Sequence, residues 1–409
     1  MGVLVVGGSV AGVRVATALR EAGYAGQVTV LDREPGPPYD KPSLSKETLT
    51  DGTAPPALPG HVTLEEIAVE HRPGVEATSL DLAGSTVETS AGPVAFDRLV
   101  VATGSQPRGF PLLDDLANVH VLRTARDAAR LGNAWVRPGS RVTVLGGGFI
   151  GCEVAAGARK NGLDVTVVEA TPTILARSLT REEAERMTAL HRAAGVKVLT
   201  DSPVADADVE TDPAPGRVRA LVLGDGTRVE TDLVLVGIGS VPVVDWLGTS
   251  GLEVAGGLRG DGRLRVSGDG RVLAVGDVVR WPNARYGREM RLEHWTSARE
   301  QAAYVARLIV DDPKVRDSDC GLLPYVWSDQ HGHRLQLVGD PDLAGAESIT
   351  VPGVEPGWVH LRVRDGLVVA AAALDAQWHV ARLRRLLASC DARVDAVLAT
   401  LVRRATVDP

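Results

Sequence analysis

Two stretches of the sequence carry small residues at a spacing that lets backbone N–H groups close on an anion. The first, VLVVGGSVAG over 3–12, sets Gly7, Ser9 and Gly12 between an apolar run and a helical one. The second, RVTVLGGGFIG over 141–151, repeats the arrangement with three glycines, Gly146, Gly148 and Gly151. Gly7 permits a tight turn, the position of Ser9 brings backbone close to a pyrophosphate, and Gly12 lets the helix settle on the strand, so that the helix N-terminus faces the anion. An acid follows each turn at the end of a second strand: Asp32, 20 residues after Gly12, and Glu169 in DVTVVEA. A carboxylate there accepts hydrogen bonds from the adenosine ribose of a dinucleotide. At Glu169 it accepts from a free 2′-hydroxyl and repels a 2′-phosphate, which favours NADH over NADPH. Arg159 and Arg177 are the neighbouring charges that soften this preference.

The elements that must position these residues follow from periodicity. VLVVGGSVAG over 3–12 as strand and glycine turn, a helical stretch to about Ala22 and a strand over 27–32 form one βαβ unit; RVTVLGGGFIG over 141–151, a helix through about Asn161 and a strand over 164–170 form another. Two complete units, each closed by an acid, are a far stronger signal than a lone glycine motif. VVATGS over 100–105 and VLVGIGS over 234–240 read as short strands where the chain crosses between the two nucleotide folds. RVLAVGDVV over 271–279 ends on Gly276 and Asp277 ahead of a helix-like run from about Thr296 to Val310. Asp277 is either a helix cap or an acid that holds the ribityl hydroxyls of a flavin.

The 409 residues suit two or three domains, and 44% hydrophobic with 23% charged residues is a globular composition. No apolar run reaches the roughly 20 residues that span a bilayer. The N-terminus lacks the basic start of a secretory signal and is broken by Gly7, Gly8 and Gly12, so no leader is expected. Cys152, Cys320 and Cys390 are far apart, without disulfide or metal spacing, and the cytoplasm is the default compartment. His294, His331 and His333 suggest a metal only weakly, since HxH in a polar loop is usually solvated or capping; no metal is assigned. A net charge of -8 argues against nucleic acid as the main partner.

Beyond the glycine turns, PPYDKPSLSK over 37–46, ATGS, GGGFIGCE, VGIG, VGDV, EHWTSAREQ and PYVWSDQHGHRLQ stand in this order. In these motifs the chain resembles the NADH-dependent ferredoxin reductases among the two-dinucleotide-fold flavoproteins, over essentially its whole length. The resemblance implies an α/β chain with two Rossmann-like domains of glutathione reductase type and a C-terminal α+β domain. FAD-binding segments would cover 1–107 and 236–316, the NAD-binding domain 108–235, and the C-terminal domain 317–409. It places Gly7, Ser9, Ala11, Gly12, Asp32, Lys41, Lys46, Val75, Arg123, Asp277 and Trp295 around FAD, and Gly148, Ile150, Gly151, Glu153 and Glu169 at NADH. Ala102, Thr103, Gly104, Gly237, Gly239, Gly276 and Trp327 complete the cofactor-binding set. Lys41 stands where the family usually has Arg, Ser43 replaces a Pro, and Arg33 sits where an acid is common.

The same resemblance makes Lys46 and Glu153 the catalytic pair, placed near the flavin N5, where a cation stabilises the anionic reduced ring. A surface lysine and a helix-face glutamate are the plain alternatives. Disulfide reductases of this superfamily carry a reactive cysteine on the segment that here reads KPSLSKETL, and none is present; Cys152 suits a packing role. Electrons are therefore expected to leave the flavin singly, for a ferredoxin that serves a cytochrome P450 or Rieske oxygenase. Trp295 and Trp327 either lie near the ring or are simple core. Arg307, Arg334, Arg382, Arg384 and Arg385 are candidates for docking an acidic ferredoxin. Reduction of a rubredoxin, a quinone or an ascorbyl radical, and slow NADH sensing, are the competing readings.

Overall fold

The computed structural model describes residues 2–402 apart from 60–62, 136–137, 213, 343 and 390–391, so Cys390 lies outside the described residues. The chain divides into two compact units: residues 1–41, 56–106 and 241–325 form the first, and 42–55, 107–240 and 326–409 the second.

The first unit is built on a five-stranded parallel sheet in the order Val272–Ala274, Arg98–Val101, Val3–Val6, Val28–Asp32, Glu70–Pro73. Its inner strands are apolar without alternation because both faces are covered; all of Val3–Val6 is buried. The helix Val10–Glu21 turns Ala11, Gly12, Val15, Ala16 and Leu19 inward and packs against the helix Trp295–Ile309. From Val3–Val6 the chain moves to one side of the sheet and later returns on the other. That reversal makes the carboxyl end of the central strand, followed by Gly7, the kind of switch point at which open parallel sheets bind ligands.

The second unit repeats the plan. Its parallel sheet runs Lys197–Leu199, Asp164–Val168, Arg141–Leu145, Leu233–Val236, Val119–His120, and the helix Phe149–Lys160 follows the central strand. The C-terminal part is a five-stranded sheet in the order Tyr325–Gln330, His333–Gly339, Leu367–Leu374, Trp358–Arg364, Glu347–Thr350. Buried alanines 370–373 line its middle strand, and the helices Gln377–Ala388 and Val394–Val402 cover it. Glu183, fully buried on the helix Arg181–Ala193, bonds Arg362 of this sheet at 2.8 Å.

Of the two sequence readings of Asp277, the structure excludes the helix cap. Asp277 does not cap a helix: it sits in a single 3-10 turn, Gly276–Val278. A ribbon of Val279–Asn283 and Arg288–Met290 separates it from the helix that begins at Trp295. Helical periodicity after residue 296 is visible in the sequence, whereas a one-turn helix and a short ribbon leave too few residues for any period.

Candidate functional site

Each glycine turn is held by backbone crowding. Gly7 has φ +116° and Gly146 φ +104°, where a side chain is strained. A Cβ on Gly7 would collide with the Ala102 carbonyl, and one on Gly146 with that of Gly237. One turn further, a Cβ on Gly12 would meet Gly7 O, and one on Gly151 would meet Gly146 O. The middle position differs: Gly148 has φ -78° and open space around its Cβ, so the protein itself does not demand glycine there. Ser9, with φ -95°, is accommodated for the same reason.

Both turns lead into helices whose first N–H groups receive no side-chain cap from Ser9 or Gly148. The helices Ala125–Ala134 and Arg181–Ala193, by contrast, are closed by full capping boxes, Thr124 with Asp127 and Thr180 with Glu183. The two uncapped helix ends suit phosphate groups, as the sequence expectation requires.

In the first unit the acids are partly committed. Asp32 Oδ1 accepts from Glu34 N at 3.1 Å, and burial raises the Asp32 carboxyl above its usual range. Val75 N donates to Asp32 O at 2.9 Å. Lys41 Nζ donates to Glu34 Oε1 at 2.5 Å and lies 4.7 Å from the Tyr39 ring. Glu34 is thus the acid that pairs with Lys41, while Arg33 is exposed. Asp277 Oδ2 accepts from Ser105 Oγ at 2.7 Å, and Thr103 Oγ1 donates to Val243 O at 2.7 Å, fixing the ATGS segment. Trp295 Nε1 donates to Asp40 Oδ1 at 2.9 Å, and its ring lies 4.8 Å from the Arg299 guanidinium.

At the start of the helix Trp295–Ile309, His294 Nδ1 and Ser297 Oγ are buried without hydrogen-bond partners. Burial pulls the His294 imidazole down to about 4, so it is neutral at neutral pH. Orphaned polar atoms are rare in folded proteins. With the glycine cradle, Asp32 and Asp277, they form a donor and acceptor set that fits the pyrophosphate, ribose and polyol of FAD. His294 is thus a buried polar group of the first unit, and no group of three or more metal-ligating side chains occurs among the described residues.

In the second unit Glu169 braces its own turn: Oε2 accepts from Gly147 N at 2.7 Å, and Oε1 accepts from Thr171 N and Oγ1, each at 2.8 Å. Its remaining lone pairs suit a ribose 2′-hydroxyl. Arg159 is occupied elsewhere, donating to Leu163 O at 2.5 Å and Ala194 O at 3.2 Å. Arg177 lies beside Gly239. Ile150, on the first turn of the helix, is 46% exposed and offers apolar surface beside the cradle. These residues fit a dinucleotide with a free 2′-hydroxyl.

Lys46 and Glu153 meet in this same unit. Lys46 Nζ donates to Glu153 Oε1 at 2.9 Å, with side chains 17% and 5% exposed, so neither is the surface residue of the plain alternative. Ser45 Oγ donates to Glu153 Oε2 at 2.5 Å and Ser328 Oγ to Oε1 at 2.7 Å. Three donors compensate the buried carboxylate, as a buried charge demands. Neither serine was singled out by sequence reasoning; each is a small polar residue in a motif, with no spacing that announces its partner. Cys152 is fully buried against Gly147 O, and burial pushes its thiol well above the ordinary range.

The remaining expected residues divide between the units. Ala11, Ala102, Gly104 and Gly276 belong to the first; Arg123, Gly237, Gly239 and Trp327 belong to the second. Arg123 N donates to Asp127 Oδ2 at 3.2 Å. Among the docking candidates, Arg307 is in the first unit and the other four in the second. Arg334 is tied to Asp329 at 2.6 Å, and Arg382 lies 5.5 Å from the Trp378 ring.

Comparison with known proteins agrees with this geometry. The pyridine nucleotide-disulphide oxidoreductase family matches residues 1–302, and the reductase C-terminal family matches 325–401. The chain is 34% identical over 387 residues to the biphenyl dioxygenase system ferredoxin–NAD(+) reductase component of Paraburkholderia xenovorans (strain LB400), covering 91% of this chain and 90% of the relative. The crystal structure of the ferredoxin reductase for the CYP199A2 system from Rhodopseudomonas palustris superposes with a TM-score of 0.85 at 32% identity, covering 93% and 92% of the two chains. The covalent putidaredoxin reductase–putidaredoxin complex gives a TM-score of 0.88 at 27% identity, covering 100% and 99%. With two glycine cradles, two strand-end acids and matches over most of its length, the chain belongs to the pyridine nucleotide-disulphide oxidoreductase family, in its ferredoxin–NAD(+) reductase branch.

Proposed function

We propose that the chain oxidises NADH and passes the electrons, through FAD, to a ferredoxin that serves a cytochrome P450 or a Rieske-type oxygenase. The supporting relatives are named as reductases of such ferredoxin systems. When bound, FAD supplies both the hydride acceptor and the one-electron donor, so the chain needs no acid or base of its own for hydride transfer. What the residues do is bind, orient and balance charge. The first glycine turn, Asp32, Lys41, Val75, Ala102, Thr103, Gly104, Gly276, Asp277 and Trp295 are assigned to FAD, with Arg123 and Trp327. Gly148, Ile150, Gly151, Glu169, Gly237 and Gly239 are assigned to NADH.

The observation that carries the reading is the Lys46–Glu153 ion pair on a segment without cysteine. The pair holds a positive charge that favours an anionic reduced ring. Without a thiol on that segment, electrons have no dithiol store and pass to an external carrier. Residues 1–107 and 236–316 are assigned to the FAD domain, 108–235 to the NAD domain and 317–409 to the C-terminal domain. No helix among the described residues is long and apolar enough to cross a membrane, and the cytoplasm is the proposed compartment.

Anaerobic stopped-flow tests the proposal. The yellow protein is mixed with NADH or NADPH, and the reduced form with a [2Fe-2S] ferredoxin. Rapid bleaching by NADH followed by prompt ferredoxin reduction is expected. A stable long-wavelength charge-transfer band with negligible onward transfer would identify a sensor instead. Charge reversal at Arg382, Arg384 and Arg385 is expected to slow ferredoxin reduction and flatten its salt dependence.

A further inference from the structure

Glu153 lies at one end of a longer hydrogen-bonded chain. Ser328 Oγ, which donates to Glu153 Oε1, accepts from Gln330 Nε2 at 2.9 Å. Gln330 Oε1 faces His191 Nε2 at 2.9 Å, and His191 Nδ1 faces His331 Nε2 at 3.0 Å. The two imidazoles meet edge to face with centroids 4.6 Å apart. Ser328, Gln330 and His191 are fully buried, His331 is half-buried, and the adjoining His333 is exposed. The chain thus runs from a buried ion pair to the surface of the second unit.

Chemistry at one end fixes the direction of every link. A carboxylate paired with an ammonium only accepts, so Ser328 gives its one proton to Glu153. The hydroxyl oxygen then accepts, which turns the Gln330 amide nitrogen toward it and the carbonyl oxygen toward His191. His191 must carry its proton on Nε2 and leave Nδ1 bare, and His331 must present Nε2–H. Burial lowers the His191 imidazole below its usual range. Burial, with His191, His333 and Arg159 nearby, brings His331 down to about 4. Both rings are therefore neutral at neutral pH, the only state in which this set of tautomers exists.

We propose that Ser328, Gln330 and His191 are positioning residues for the Lys46–Glu153 pair, and that the oriented chain ending at His331 fixes Glu153 Oε1 as the acceptor that holds the Lys46 ammonium. The inference rests on the assignment of that pair to the flavin and deepens it. Were the Gln330 amide reversed, the Ser328 hydroxyl would donate to its carbonyl. Glu153 would then lose one of three donors while its charge stayed buried. The orientation of the ion pair is in this way set by an imidazole tautomer three links away.

Two measurements on the FAD-loaded protein test the inference. Imidazole 15N shifts are expected to show His191 as the neutral Nε2–H tautomer with Nδ1 accepting a hydrogen bond. A protonated Nδ1 at pH 7 would overturn the proposal, and this readout does not depend on whether NADH reduces the flavin. In stopped-flow, Ser328→Ala, which deletes the donor to Glu153, is expected to slow saturating flavin bleaching roughly tenfold, the scale of a hydrogen bond to a charged group. The apparent NADH affinity should stay within about twofold, the flavin midpoint potential should fall, and Ser328→Thr should restore both rate and potential. Unchanged rate and potential in Ser328→Ala, or equal loss in Ser328→Thr, would refute a positioning role. A wild-type protein that NADH does not bleach would sink the functional reading and leave the tautomer result standing.

Discussion

The two glycine turns solve the same steric problem and differ in what surrounds them. In both, a positive-φ glycine lies against a carbonyl of the neighbouring strand, and the glycine five residues later lies against the turn itself. At the first turn, the Asp32 carboxylate accepts from Glu34 N, just beyond its own strand, and burial works against its charge. At the second, Glu169 reaches across to Gly147 N and stiffens the turn it serves. The cradle is thus a property of backbone crowding, whereas the two strand-end acids differ in what they hold.

Breaking the crowding should have the largest effect. Gly12→Val forces a branched side chain onto Gly7 O, and the expected product is protein without flavin, seen as loss of the yellow absorbance on purification. Gly151→Val, the matching change, should leave the protein yellow while bleaching by NADH falls by at least about a hundredfold. If both variants lose flavin, the two turns do not serve separate nucleotides.

Removing the charge held beside the second turn comes next. Glu153→Gln keeps an acceptor for Lys46 but not the ion pair, and saturating flavin reduction should slow by about one to two orders of magnitude, measured in stopped-flow. Glu169→Gln should weaken NADH binding about tenfold and raise the NADPH-to-NADH ratio of kcat/KM, because repulsion of a 2′-phosphate is lost. Asp32→Asn sharpens the contrast: it should speed FAD dissociation and leave that ratio unchanged.

Acid should weaken both units through imidazoles that the fold keeps neutral. His294 in the first unit and His331 in the second both stand near 4 when folded, below the 6.5 of a free imidazole. Between those values the unfolded chain binds more protons than the folded one. Their contribution to stability is therefore complete above about pH 6.5 and is lost as pH falls toward 4. Urea midpoints across this window should fall, and His331→Gln should fall less steeply. The smallest effect is expected at the middle of the turn: a Cβ at Gly148 meets no protein atom, so Gly148→Ser should cost NADH affinity only a few-fold, the backbone there being extended as at Ser9.

Much of the scaffold was legible because it is local. The strand at 28–32 and the helix ends at Glu21 and Lys160 fall within a residue of their expected bounds, since each element is long and periodic enough to announce itself, whereas both helices begin inside the glycine motifs, at Val10 and Phe149. The 3-10 turn at Asp277 and the ribbon after it had no expectation in the sequence, being too short to carry a period, and they leave Asp277 without the helix that its capping reading required. The Lys46–Glu153 pair came from resemblance to a family, not from spacing, because 107 positions separate the two.

The sequence alone determined the two nucleotide cradles, their acids and the lack of a cysteine on the segment after Pro38, for these depend on residues within a turn or one βαβ unit. Only the tertiary structure decided how the charge is held. Ser45, Ser328, Gln330, His191 and His331 come together across separations of 108, 175, 139 and 140 positions. A hydrogen bond between distant segments leaves no mark on the local pattern of either, so its partners appear only when the chain has folded.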